Sequence, residues 1–276
     1  MSLKQQVREF WNDNPLFTGE STAKIGTKEW FMEHESVIFN DCMPYGIESI
    51  YTEGIGPDSN ILDVGCGPGF WVRYFLSKGF ANVSACDLTP KAVELTTTSL
   101  NLFNLHTTGR ICEGDAESLP FANDSFDHVN CQGVIHHTPN TSKCIEEFCR
   151  VLKPGGTACF SVYHKNILLR NPALLSIISK IFKNIISLKG RGRERILTGD
   201  PDELVRRYDG INNPVGKSYT YDDILEMTKP FFKINKTQKT FFPARAFPFK
   251  IPRAVHRYLH RKHGLLIVVH MTKFKS

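Results

Sequence analysis

Asp63, Gly65, Gly67 and Gly69 alternate through the run Asn60-Ile61-Leu62-Asp63-Val64-Gly65-Cys66-Gly67-Pro68-Gly69-Phe70. That pattern describes a binding chemistry. Glycines strip a turn of side chains, so a ligand can approach the backbone and the N–H groups that open the following helix. The dinucleotide fingerprint is G-x-G-x-x-G, whereas the spacing here is G-x-G-x-G with a carboxylate just ahead. A carboxylate beside the loop repels a pyrophosphate and suits a cation. Three further groups belong to the same inventory: Asp87 at the end of a short apolar run, Asp115 in a second acidic stretch, and the pair His136-His137. An acidic residue about twenty positions beyond a glycine loop is placed to accept from a ribose diol. Imidazole has the pKa of a general base for a hydroxyl or thiol.

The elements that must carry these groups alternate strand and helix, as a parallel sheet requires. Ile61, Leu62 and Val64 read as a buried strand, followed by a helix from about Phe70 to Leu76 that Gly79 closes. Val83-Ser84-Ala85-Cys86 is the second strand and ends in Asp87-Leu88. Thr89 is an N-cap and Pro90 a first helical residue, so a helix runs on towards Leu105. Asp124-Ser125-Phe126-Asp127-His128-Val129 leads into a fourth strand continued by Cys131-Gln132-Gly133-Val134. A helix then ends in Arg150-Val151-Leu152-Lys153-Pro154-Gly155-Gly156, before a strand from Thr157 to Tyr163.

Five ordered segments resemble the class I S-adenosylmethionine-dependent methyltransferases. They are the glycine loop, Asp87, the run Ile111-Cys112-Glu113-Gly114-Asp115-Ala116-Glu117-Ser118-Leu119-Pro120-Phe121, the fourth strand and the Lys153-Pro154-Gly155-Gly156 turn. The resemblance implies an α/β fold with a Rossmann-like seven-stranded sheet whose last two strands form an antiparallel hairpin. It implies S-adenosylmethionine as cofactor and S-adenosylhomocysteine as product. Asp63, Gly65, Gly67 and Gly69 would hold the methionine part, Asp87 the ribose, Asp115 and Ala116 the adenine, and Gln132 the edge of the site. Cys66, Leu88, Glu117 and Gly133 flank these positions. His136 and His137 would lie near the transferred methyl group, as a base or as shapers of the cofactor loop, with Tyr163 and His164 behind them. Phe10-Trp11-Asn12-Asp13-Asn14-Pro15 and Gly210-Ile211-Asn212-Asn213-Pro214 resemble one bacterial branch of the superfamily and name no substrate.

Four segments follow. Residues 1–57 form an N-terminal helical appendage, 58–163 the cofactor-binding core, 164–217 a helical lid insertion after the fifth strand, and 218–276 a helix and strands that complete the sheet. In the appendage a helix carries Val7, Phe10 and Trp11, and a second starts at the N-cap Thr27. Trp11, Phe17, Trp30 and Phe31 either touch a substrate or pack the appendage on the core. Within the insertion, Leu174, Leu175, Ile177, Ile178, Ile181, Phe182, Ile185 and Ile186 form an apolar stripe opposite Lys180, Lys183 and Lys189. A lid, an interfacial membrane helix or a packed insertion each accounts for it, and the lid is carried forward.

Composition narrows the chemistry. The eight cysteines form no C-x-x-C pair, and the chain shows no signal peptide, which points to reduced thiols and a cytoplasmic protein. Formal net charge is +6, and after Glu226 there is no Asp or Glu at all. Such a tail faces an anionic partner (RNA, a phospholipid surface, an acidic substrate) or is a solvated basic face. The tetrad of exocyclic-amine nucleic-acid enzymes is replaced by Cys131-Gln132-Gly133-Val134. Cys131 follows Asn130, unlike the nucleophile of cytosine C5 enzymes, and no carboxylate cluster suggests a catalytic metal. His256 and His260 have metal-ligand spacing without a third donor and read as surface histidines. The sequence therefore leads to metal-independent methyl transfer to a small or lipid-like acceptor. The rivals are an RNA methyltransferase and a non-catalytic cofactor-binding partner protein.

Overall fold

A computed structural model of the protein describes residues 1–16, 21–166, 171, 200–242 and 250–275. The apolar helix read within the lid insertion, at 172–190, and Phe17 lie outside the described residues. The described chain begins with α1 (Leu3–Asp13), opened by a capping box between Ser2 and Gln5, and α2 (Lys28–Val37), opened by Thr27. The core runs β1 (Ile61–Val64), α3 (Phe70–Ser77), β2 (Val83–Asp87), α4 (Pro90–Leu102), β3 (Ile111–Glu113), β4 (Phe126–Gln132), α5 (Thr141–Val151) and β5 (Leu152–His164). It is followed by α6 (Pro201–Asp209), β6 (Ser218–Tyr219), α7 (Tyr221–Thr228), β7 (Phe232–Thr240), α8 (Arg253–His263) and β8 (Leu266–Lys273).

The strands form one sheet in the order β3-β2-β1-β4-β5-β8-β7, parallel up to β5 and antiparallel in its last two pairings. All four residues of β1 are buried, as a strand covered on both faces must be. One face packs Leu62, Val64 and Val129 against Ile145 and Phe148 of α5 and Ile224 of α7. The other packs Ile61, Val83 and Ala85 against Phe70, Trp71 and Phe75 of α3, with Ile50 and Tyr51 from the appendage. Strand order reverses between β1 and β4. In such sheets the crevice for a ligand opens at the carboxyl ends of the strands beside that reversal.

Three details differ from the sequence expectations. An eighth, two-residue strand, β6, pairs in parallel with Tyr163 and His164 of β5, beyond the point where β4 stops pairing at Ser161. Strand β5 starts at Leu152 rather than Thr157: Leu152 pairs with Phe126, and a register shift before His128 accommodates the Pro154-Gly155-Gly156 stretch. Strand β8 runs to Lys273 because two antiparallel neighbours, β5 and β7, carry its polar end.

Part of the appendage packs on the core. Trp30 and Phe31 are fully buried against Leu95 of α4, so for these two aromatics the packing reading holds. Trp30→Ala should lower unfolding free energy by about 3–5 kcal/mol in a single urea transition. A separate early transition would show instead that the appendage unfolds by itself.

Candidate active site

The glycine loop is tied down from three sides. The N–H groups of Gly65 and Cys66 both donate to the carbonyl of Cys86 at the end of β2, at 2.7 and 3.1 Å. The Thr96 hydroxyl on α4 donates to the Gly67 carbonyl at 2.8 Å. Asp87 does the rest: Oδ2 accepts from the Gly67 N–H at 3.1 Å, and Oδ1 accepts from the Thr89 N–H and hydroxyl, each at 3.0 Å. Asp87 thus organises the loop as well as facing the cleft. Burial raises its pKa against the opposing pull of those hydrogen bonds.

The glycines have separate reasons. At Gly65 a Cβ would lie 2.3 Å from the Val134 side chain, so β1 and the loop after β4 meet there only because it is absent. At Gly67, with φ +50°, a Cβ would meet nothing within 4 Å, and the residue opens onto the cleft. Gly69 packs α3 against Thr96 and Ser99 of α4 and does not line the cleft.

The cleft holds about 1080 Å³ of empty space including its open mouth. Of the residues read as cofactor ligands, Gly65, Gly67, Asp87, Leu88, Asp115, Ala116, Gln132 and Gly133 line it, together with His136 and His137. Asp63, Cys66, Gly69 and Glu117 do not. Cys66 is turned into the core, where burial pushes its thiol pKa well up, and it accepts from the Thr96 hydroxyl. Glu117 accepts from the Asn140 N–H at 2.6 Å and joins the β3 loop to the start of α5.

Asp63 lies sealed under the loop, 2% exposed. Its Oδ1 accepts from Asn130 Nδ2 at 2.7 Å, while Oδ2 has no hydrogen-bond partner. Asn130 in turn accepts from Gln132 Nε2 at 2.9 Å, so a polar chain links the buried carboxylate to the cleft wall. Burial raises the Asp63 pKa to about 7, against the Asn130 hydrogen bond. A raised folded-state pKa favours folding fully below the ordinary carboxylate pKa of about 4. That contribution is lost as pH rises to about 7. Above that pH the fold carries a half-satisfied buried anion, and a cation bound on the loop would compensate it. The donor set therefore fits a cationic ligand.

Helix α1 covers the cleft. Val7 and Trp11 line it, with Pro15 and Leu16 just beyond the helix. Lys4 pairs with Asp115 at 2.5 Å and with Glu117 at 3.0 Å, and Arg8 pairs with Glu113 at 2.6 Å. Asp115 therefore meets the cleft with one oxygen already on an ammonium and the other on the Glu117 N–H at 2.9 Å.

The opposite end of the cleft brings together residues from five segments. His136 and His137 form a short turn after β4. Lys217 holds it by donating Nζ to the Thr138 and Pro139 carbonyls at 2.9 and 2.8 Å, and its N–H to the His136 carbonyl at 3.1 Å. His137 Nδ1 lies 2.7 Å from the Val215 carbonyl and 3.3 Å from Asn213 Nδ2; the carbonyl is the nearer and only accepts, which favours the Nδ1–H tautomer. His137 Nε2 lies 3.1 Å from Oδ2 of Asp209, and the Tyr163 hydroxyl donates to the same oxygen at 2.9 Å. The His136 ring packs edge-on against Tyr163, and Trp11 lies against His137. His136, His137 and Asp209 offer ligand atoms within 4.8 Å of one another. Sequence reasoning missed Asp209, Asn130, Lys4 and Lys217, whose partners lie far from them along the chain.

The other candidates resolve differently. All eight cysteines are free, and five of them (Cys66, Cys86, Cys131, Cys144 and Cys159) are buried. Burial raises the Cys131 thiol well above its usual range, which suits a core thiol and not a nucleophile. His260 is buried rather than at the surface and faces the Thr240 hydroxyl at 2.9 Å, while His256 meets the Tyr45 hydroxyl at 2.7 Å.

A sheet reversing beside a glycine loop, an acid at the end of each of the first two strands, and a closing antiparallel hairpin define the class I methyltransferase architecture. Residues 62–160 match the sequence model of the methyltransferase domain family. The family match covers residues 62–160 of the chain, a methyltransferase domain of the kind that takes S-adenosylmethionine as cofactor. An uncharacterised protein of Mycobacterium tuberculosis is 30% identical over 146 residues, covering 52% of each chain. The ubiquinone biosynthesis O-methyltransferase of Neisseria meningitidis is 27% identical over 147 residues, 52% of this chain and 60% of that one. The chain thus matches about half the length of these curated relatives. An S-adenosylmethionine-dependent methyltransferase structure from Methanosarcina mazei superposes with a TM-score of 0.56 at 21% identity, over 83% of this chain and 99% of that one.

Asp87→Ala should weaken S-adenosylmethionine binding by about tenfold or more, read by calorimetry, with Asp87→Asn intermediate. Unchanged affinity in a folded Asp87→Ala protein would remove Asp87 from the cofactor site.

Proposed function

We propose that the protein transfers a methyl group from S-adenosylmethionine to a small or lipid-like acceptor that carries an ionisable hydroxyl. The observation that carries this is the Tyr163–Asp209–His137 cluster at one end of the cleft. When bound, S-adenosylmethionine supplies an electrophilic methyl on a good leaving group, so positioning does most of the work. Asp63 supplies negative charge beneath the loop, and Asp87 and Ala116 take the adenosine. Helix α1 lies over the cleft.

At the acceptor end, Trp11, Leu16 and Leu266 provide an apolar wall. With His137 in the Nδ1–H tautomer, Nε2 and the Asp209 carboxylate would face each other as two acceptors unless a cation lies between them. A proton satisfies both with no net charge. The proposal keeps a proton and no metal between them, although His136, His137 and Asp209 have the ligand atoms a divalent cation would use. The cluster can therefore hold and move a proton at Asp209 Oδ2, which an acceptor needs only if its nucleophile is protonated at neutral pH. His136, packed on Tyr163, completes this wall and remains a candidate base. The relative from Neisseria methylates oxygen according to its name, in keeping with a hydroxyl acceptor.

The test is transfer of labelled methyl from the cofactor to extracts split into solvent-extractable, aqueous, RNA and protein fractions. Label should enter a hydroxyl of an extractable compound. Asp209→Asn should lower kcat by about a hundredfold, with cofactor affinity unchanged and the pH profile altered. Label confined to RNA or protein, or full activity in Asp209→Asn, would overturn the proposal.

A further inference from the structure

Helix α8 stands outside the cleft, and its composition is one-sided. From residue 227 to the end the chain has no acidic residue, and the helix alone carries Arg253, Arg257, Arg261 and Lys262. Its inner face is fixed. His260 meets Thr240 of β7, the Tyr45 hydroxyl meets His256, the Arg257 guanidinium lies 4.6 Å over the Tyr45 ring, and Arg261 pairs with Glu48 at 2.9 Å. The outer face is unlike an ordinary solvated one. Val255 is 48% and Tyr258 62% exposed, one helical turn apart, with Arg253 and Lys262 exposed on the same helix. Three residues past its end the chain reaches Leu266, which lines the acceptor end of the cleft and pairs with Tyr163.

We propose that α8 docks the protein on an anionic phospholipid surface, setting the acceptor end of the cleft near the bilayer. The inference rests on the lipid-like reading of the acceptor given above. Two features select a membrane over RNA as the anionic partner. Phosphate alone would account for the cations, but it gives Val255 nothing to contact. An apolar pair among arginines and lysines matches the headgroup–acyl boundary, where tyrosine and aliphatic side chains insert and basic residues meet lipid phosphates. The pinned inner face also holds the helix rigidly, so it presents this surface without first having to fold.

Co-sedimentation with phosphatidylcholine vesicles, with and without phosphatidylglycerol, tests the proposal. Binding should require phosphatidylglycerol and fall with added salt. Arg253→Gln/Lys262→Gln should lower the partition coefficient more than tenfold, and Val255→Ser/Tyr258→Ser should also lower it. Both variants should keep the wild-type affinity for S-adenosylmethionine, which shows that the fold is intact. Equal binding to neutral and anionic vesicles, no loss in either variant, or salt-sensitive binding to single-stranded RNA with none to vesicles would each overturn it. Methyl transfer to a soluble acceptor is read separately: vesicle binding without transfer defeats the functional reading, and transfer without vesicle binding defeats only the docking.

Discussion

A carboxylate sealed in a protein interior with one oxygen unpaired costs stability, and Asp63 is such a group. Burial holds its pKa near 7, so at neutral pH the protein is poised between a neutral acid and an anion without a counterion. Asn130 satisfies half of the group, and the loop above it contains glycines in place of side chains. The arrangement makes physical sense when a cation sits on that loop. The remaining geometry keeps the loop over the carboxylate: the Cys86 carbonyl takes two loop N–H groups, Thr96 takes a loop carbonyl and Asp87 takes a third N–H.

The cleft is built by convergence. Its cofactor end comes from the first half of the parallel sheet, where each strand ends beside the reversal at β1 and β4. Its other end needs parts that arrive later in the chain: β6 takes up the edge of β5 where β4 stops, Lys217 just before it clamps the histidine turn, and α6 supplies Asp209. Helix α1 spans both ends. Lys4 and Arg8 hold it to the acids of the β3 region, Trp11 rests on His137, and Phe10 packs where Gly210 leaves no Cβ. The appendage thus closes the two ends into one cavity.

What could be read ahead of the structure follows from how far apart the partners lie. The glycine loop, the strand ends at Asp87 and Gln132, and the caps at Thr27 and Thr89 are local patterns, and each appears where its residues indicate. Asp63 was legible as an acid beside the loop but not as a buried one, because burial depends on Asn130 in a strand that follows much later. Glu117 looked like a cleft residue by its place in a motif, yet Lys4 and Asn140 turn it to structural use. His260, read as a surface residue from its basic helix, is buried because α8 lays that face on β7. Asp209 gave no signal, since its partners His137 and Tyr163 are fixed by sheet register and not by spacing along the chain.

The most direct test of the account is the ionisation of Asp63. Carbon-13 NMR of labelled aspartate carboxyls, with Asp63 assigned through Asp63→Asn, would follow its titration in the free protein and with saturating S-adenosylmethionine. The account predicts a midpoint at about 7 in the free protein, falling by about one unit or more when the cationic cofactor binds. A midpoint in the ordinary carboxylate range without cofactor, or one near 7 that the cofactor leaves in place, would contradict it.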